Sequence, residues 1–109
     1  MMNIRVSGKH IEIGQALPQR VRDRLTAAVA KHFDRPAQAN VTFMKERAGF
    51  RADCVVHLSS GALMHAHASA ADAHAAFDIA LNHLEKRVRR YKRRLKNHHG
   101  HGPSASFPA

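Results

Sequence analysis

The stretch that decides the fold is "FRADCVVHLSSGALMHAHASA" (50–70). Its first half alternates: Phe50, Ala52, Cys54, Val56 and Leu58 share one side, and Arg51, Asp53, Val55 and His57 share the other. Period two with one apolar side describes a half-buried strand. "SGA" (60–62) reads as a short hairpin loop, with Gly61 free to take a positive φ. Alternation then resumes in "LMHAHASA" (63–70), with Met64, Ala66 and Ala68 inward and His65 and His67 outward.

The same period lies on both sides of this hairpin. "QANVTFMKER" (38–47) sets Val41 and Phe43 on one face, and "RAG" (47–49) turns the chain. Near the start, "NIRVSG" (3–8) pairs Ile4 with Val6 against Arg5 and Ser7. Gly8 and Gly14 bracket a connector anchored by Ile11 and Ile13.

From about Gln15 the period changes. Leu17, Val21, Leu25, Ala28, Val29 and Phe33 recur at spacings of three and four, which predicts an amphipathic helix to about residue 32. Pro18 falls in the first turn, where its missing N–H costs nothing, and "DRP" (34–36) ends the helix. "SAAD" (69–72) reads as a capping box with Ser69 as N-cap. The helix it opens carries Ala76, Phe77, Ala80, Leu81, Leu84, Val88, Tyr91 and Leu95 on one stripe.

The element order is β-α-β-β-β-α. Each strand has one apolar face, so both helices cover the same side of a four-stranded sheet, giving a two-layer α+β sandwich. Residues 1–97 form one domain. "HHGHGPSASFPA" (98–109) reads as a disordered tail or the start of a linker, because Gly, Pro and Ser dominate it.

Charge narrows the function. Eighteen Lys+Arg against eight Asp+Glu give a formal +10 over 109 residues, which calls for a polyanionic partner. "EKRVRRYKRRLKNHH" (85–99) holds eight Lys/Arg and one acid. The helix dipole favours cations near a C-terminus by about 0.3–1 kcal/mol each, enough for two or three of them. Like charges four apart (Lys86/Arg90, Arg89/Arg93, Arg90/Arg94, Lys92/Lys96) repel by tenths of a kcal/mol, so a purely structural helix would interleave glutamates.

Arg20, Arg24 and Lys31 add cations to one flank of the first helix, and side by side the two helices would present a continuous basic surface. Arg exceeds Lys five to three in the 85–99 window, which suits bidentate phosphate contact. Aromatics are 6% and look like core, so backbone and shape readout of folded RNA fits better than base stacking along a single strand. A membrane-surface helix or a calmodulin target would need the apolar stripe that the sheet already uses.

Other chemistries find little support. Cys54, the one cysteine, points inward; it can form no disulfide within the chain and no thiolate zinc site alone. No serine has an evident His–Asp partner and no phosphate-binding loop occurs, so the expectation is no enzyme and no cofactor. The N-terminus has no apolar signal segment, and no apolar run approaches the ~18 residues of a membrane span, which points to the cytoplasm. Ten histidines are many for this length. With a 60–62 loop, His57 would sit opposite His65, and His57, His65 and His67 would be a candidate Zn²⁺ or Ni²⁺ trio; polar filler on an open sheet face is the favoured reading.

Several motifs resemble those of the ribosome hibernation-promoting factors, also called ribosome-associated inhibitor or light-repressed proteins. "NIRVSGKHIEIGQAL" (3–17) is similar to their opening strand and helix entry, "HFDR" (32–35) to the helix exit, and "DAHAAFDIALNHLEKRVRRYKRRLK" (72–96) to their second helix. His74 stands where the family has an aromatic residue and Phe77 where it has Ile. The resemblance implies a fold similar to a double-stranded RNA-binding domain. It implies binding to the small ribosomal subunit and its rRNA, in the channel for mRNA and tRNA, with translation blocked in starved or stationary cells. Matched to the family's basic helix, the expected RNA contacts are Lys86, Arg89, Arg90, Arg93, Arg94 and Lys96, with Arg20, Arg24 and Lys31 added from helix geometry. Long family members pair ribosomes through a further C-terminal domain, and short ones leave pairing to a separate factor; "GPSASFPA" (102–109) resembles the start of a long member's linker. Other classes are an RNA-binding domain acting off the ribosome and a histidine-based metal-binding domain.

Overall fold

A computed structural model describes residues 2–31 and 37–101, with side chains for 3–31 and 37–94. The elements are β1 (Met2–Lys9), α1 (Ala16–Ala30), β2 (Ala37–Glu46), β3 (Gly49–Leu58), β4 (Leu63–Ala70) and α2 (Ala73–His101). The strands lie in the order β1-β2-β3-β4. β1 runs parallel to β2, a pairing that needs a long crossover, and α1 supplies it. The other two pairs are antiparallel.

The paired residues of the inner face are apolar, as the alternation requires. Ile4, Ala39, Val56 and Met64 form one row across the inner face, and Val6, Val41, Cys54 and Ala66 form the next. In the third row Phe43 lies between Gly8 and Ala52, with Ala68 beyond. These small neighbours leave room for Phe43 and for Phe77 of α2, whose rings meet at 6.4 Å and a 56° tilt. Both are fully buried, as are Leu25, Val21, Val41 and Val56. Every buried residue among those described is apolar. Both helices pack on this face, α2 over β3 and β4, and α1 against β1 and α2. The two-layer α+β sandwich expected from the periodicity is therefore the fold.

Three local expectations differ. Leu58 pairs with Ala62 to close the β3–β4 hairpin, so its loop is 59–61 within the 59–62 connection, not 60–62. Leu58 accepts a hydrogen bond from the Gly61 N–H at 2.9 Å, and its own N–H donates to Ala62 O at 2.9 Å. Gly61 has φ +97, so a turn followed by a left-handed glycine closes the hairpin. The glycine thus fixes the loop one residue earlier and shifts every cross-strand partner by two.

The N-cap of α2 is Asp72, whose Oδ1 accepts from the Ala75 N–H at 2.8 Å. Ser69 is still in β4, paired with Arg51, and its hydroxyl donates to Glu46 at 2.7 Å. Finally, α2 continues to His101, where a tail was expected from residue 98. The first residue that strongly breaks a helix there is Pro103, not Asn97. Phe33, the helix exit at 34–36 and residues 102–109 lie outside the described residues, as do the side chains of Leu95 and Lys96.

Candidate nucleic-acid interface

α2 divides at Glu85. Residues 73–85 contain two acids and no Lys or Arg, whereas 86–96 contain eight Lys/Arg and no acid. The apolar stripe explains how the second half stays attached. Leu84 and Val88 are buried, and Tyr91 is half-buried with its hydroxyl 2.9 Å from Ser60 Oγ. Around that stripe Lys86, Arg87, Arg89, Arg90, Lys92, Arg93 and Arg94 are all exposed. Spacing sorts them by flank. Lys86, Arg89 and Arg93 point outward together, while Arg87, Arg90 and Arg94 lie beside the β4 edge.

The helix–helix seam is less basic than the sequence suggested. Arg20 donates from one guanidinium nitrogen to both oxygens of Asp78, at 2.9 and 3.2 Å, and is only 33% exposed. Lys31 reaches Glu85 at 3.5 Å. The two acids of the first half of α2 therefore face α1, where each meets one cation, Asp78 with Arg20 and Glu85 with Lys31. Such partly exposed pairs contribute about 0–1 kcal/mol each, so their main consequence is electrostatic: the seam is close to neutral there. Arg24 is exposed. Among the expected contacts, Lys86, Arg89, Arg90, Arg93 and Arg94 lie on the basic half of α2, where no acid pairs with them among the described residues; Arg20 and Lys31 are tied to acids. Arg87 and Lys92 were left out of the sequence expectation, although both belong to the same run and are equally exposed.

The histidines do not come together as a trio. His57 pairs with Leu63, His65 with Val55, and His67 with Asp53. The displaced loop leaves His57 diagonal to His65. The His65 and His67 rings are 5.7 Å apart, and His65 Nε2 is 3.9 Å from Asp53 Oδ1, which Arg51 holds at 3.1 Å. Among the described residues no group of three His, Cys, Asp or Glu is placed to hold a metal ion. Cys54 is fully buried, and burial, with a smaller push from the Asp53 charge, raises its thiol to about 12. At neutral pH it is no nucleophile. Among the described residues no helix is long and apolar enough to cross a membrane.

Known proteins share both sequence and fold. The chain is 43% identical over 106 residues to the ribosome hibernation promotion factor of Rhizobium meliloti, covering 96% of this chain and 56% of that one. It is 32% identical over 100 residues to the ribosome hibernation promoting factor of Escherichia coli K12, covering 89% of this chain and 100% of that one. It thus spans about half the length of the rhizobial relatives it matches. The Thermus thermophilus Protein Y N-terminal domain superposes with a TM-score of 0.75 at 31% identity, over 83% of this chain and 99% of that domain. Residues 4–96 match the family model described as Sigma 54 modulation protein / S30EA ribosomal protein, and the chain belongs to that family.

Proposed function

We propose that this chain is a ribosome hibernation factor, acting in the cytoplasm, that binds the small ribosomal subunit through rRNA and inhibits translation in starved or stationary cells. The carrying observation is the second half of α2: seven described, exposed cations with no acid among them, on a fold whose relatives are named for ribosome hibernation. Self-repulsion at this density is relieved by a polyanion that matches a rigid helix, and folded RNA presents phosphates in that way.

Lys86, Arg89, Arg90, Arg93 and Arg94 are assigned to phosphate contact, with Arg87, Lys92 and Arg24 beside them and Lys96 from its place in the run. Arg20 and Lys31 are assigned to the α1–α2 seam because each faces a carboxylate. The site proposed on the subunit is the channel for mRNA and tRNA, where a bound domain excludes both. Ribosome pairing belongs to a further domain or a separate factor, and residues 1–97 suffice for subunit binding.

Co-sedimentation with small subunits, large subunits and an equal mass of duplex RNA tests this at about 100 and 400 mM salt, a range over which nonspecific phosphate contacts are lost. Saturable one-to-one pelleting with small subunits that survives the higher salt is the expected result. Equal binding to all three, lost together, makes the domain a generic polyanion trap.

A further inference from the structure

Beside the β4 edge, α2 leaves a groove of about 450 Å³. We propose that this groove receives one unstacked RNA nucleotide, with its phosphate on Arg90 and Arg94 and its base against the exposed end of β4. The inference rests on the rRNA-binding reading and adds to it a place where a single base is read.

Charge comes first. Arg87, Arg90 and Arg94 line one wall, and no acid lines the groove. The opposite wall is the start of β4, and its backbone is open. Because the Leu58 N–H bonds Ala62 O, alternation along the antiparallel ladder turns the backbone groups of Met64, Ala66 and Ala68 toward β3. Those of Leu63, His65 and His67 then point off the sheet edge. His67 O is already met by His83 Nδ1 at 3.4 Å, which confirms that direction and closes the edge there. Leu63 and His65 remain, each with an N–H donor beside a C=O acceptor. A base edge carrying an acceptor next to a donor, as adenine does with N7 and its N6 amino group, complements such a pair.

Apolar surface for the ring is also present. Leu63 is 59% exposed, the most exposed large apolar side chain among the described residues. Tyr91 lines the groove, its hydroxyl held at Ser60. Guanidinium planes add stacking partners for an unstacked base.

An extended peptide fits less well. His83 closes the edge at His67, so a peptide could pair along 63–66 only, shorter than the about five or six residues of an ordinary strand. A second copy pairing through β4 would bring its own three arginines to the same place.

The test uses ¹⁵N-resolved NMR of the whole chain, titrated with 5′-AMP and, separately, with ribose 5-phosphate, which has the anion but no base. AMP is expected to shift the Leu63 and His65 amides saturably with a Kd of about 1 mM, while ribose 5-phosphate moves only arginine signals. Leu63→Asn, a neutral change at an exposed position, is expected to abolish the amide shifts and weaken small-subunit binding about tenfold. Identical shifts from both ligands, or no shifts at the β4 amides, overturn the base-reading groove. So does a peptide of alternating Glu and Val that binds the same amides more tightly than AMP. If the parent chain pellets with small subunits and Leu63→Asn does so equally well, the groove proposal alone fails. If the parent does not pellet, the rRNA reading fails with it.

Discussion

The two halves of α2 share one stripe and serve opposite ends. In 73–85 the stripe is wide, with Ala76, Phe77, Ala80, Leu81 and Leu84 all buried, and the flank toward α1 carries the acids that pair with its cations. In 86–94 the stripe narrows to Val88 and the half-buried Tyr91, and every other position is an exposed cation. The first half therefore contributes to folding more than the second, which is held as a rigid extension of it. A helix anchored at one end by packing can hold repelling charges at the other, because the packing offsets the repulsion. Stability and binding are in this way assigned to different turns of one element, and substitutions should separate them.

The largest effect belongs to the anchored half. Phe77→Ala removes a ring that fills the space over Phe43, and should cost about 3–5 kcal/mol in urea unfolding. A cost under about 1 kcal/mol would mean the two halves do not differ as described. Next comes the charged half. Arg89→Glu with Arg93→Glu should lower small-subunit affinity roughly 100-fold, while stability stays within about 0.5 kcal/mol, since like-charge contacts are relieved and no buried group is touched. Unchanged affinity would separate the basic surface from binding.

A smaller effect sharpens the boundary at the start of the helix. Asp72→Ala should destabilise by about 1 kcal/mol, because the Ala75 N–H loses its acceptor. Ser69→Ala should cost less; the reverse order in thermal melts would restore Ser69 as the cap. The smallest concerns the seam. Arg20→Gln should lower stability by about 0–1 kcal/mol and leave subunit affinity nearly as it was, since Arg20 serves Asp78. A loss of binding equal to that of Arg93→Gln would return Arg20 to the RNA surface.

Much of this was legible in the sequence, and the reason is periodicity. The alternation in 50–58 and 63–70 and the stripe from Ala76 to Val88 each carry their own evidence of which side is buried, so fold class and the exposed basic face followed directly. Register did not. Whether the loop is 60–62 or 59–61 changes no periodicity, and only Gly61 in its left-handed conformation decides it, so the His57–His65 pairing failed with the loop. "SAAD" fits a capping box with Ser69 as the cap and Asp72 three residues on, but β3 keeps Ser69 and Ala70 paired in the sheet. The seam was hidden for a different reason. Arg20 and Asp78 are 58 residues apart and Lys31 and Glu85 are 54 apart, so neither pair leaves a local signature.

The central claim is that the cations of 86–96 meet phosphates of the small subunit. The direct measurement is the salt dependence of small-subunit binding for the parent chain and for Lys86→Ala/Arg89→Ala/Arg93→Ala. If these three contact phosphates, the slope of log K against log salt should become shallower by roughly one for each residue removed, about three in all. Parallel lines for the two proteins, however strong the binding, would contradict the assignment of this helix to the ribosome.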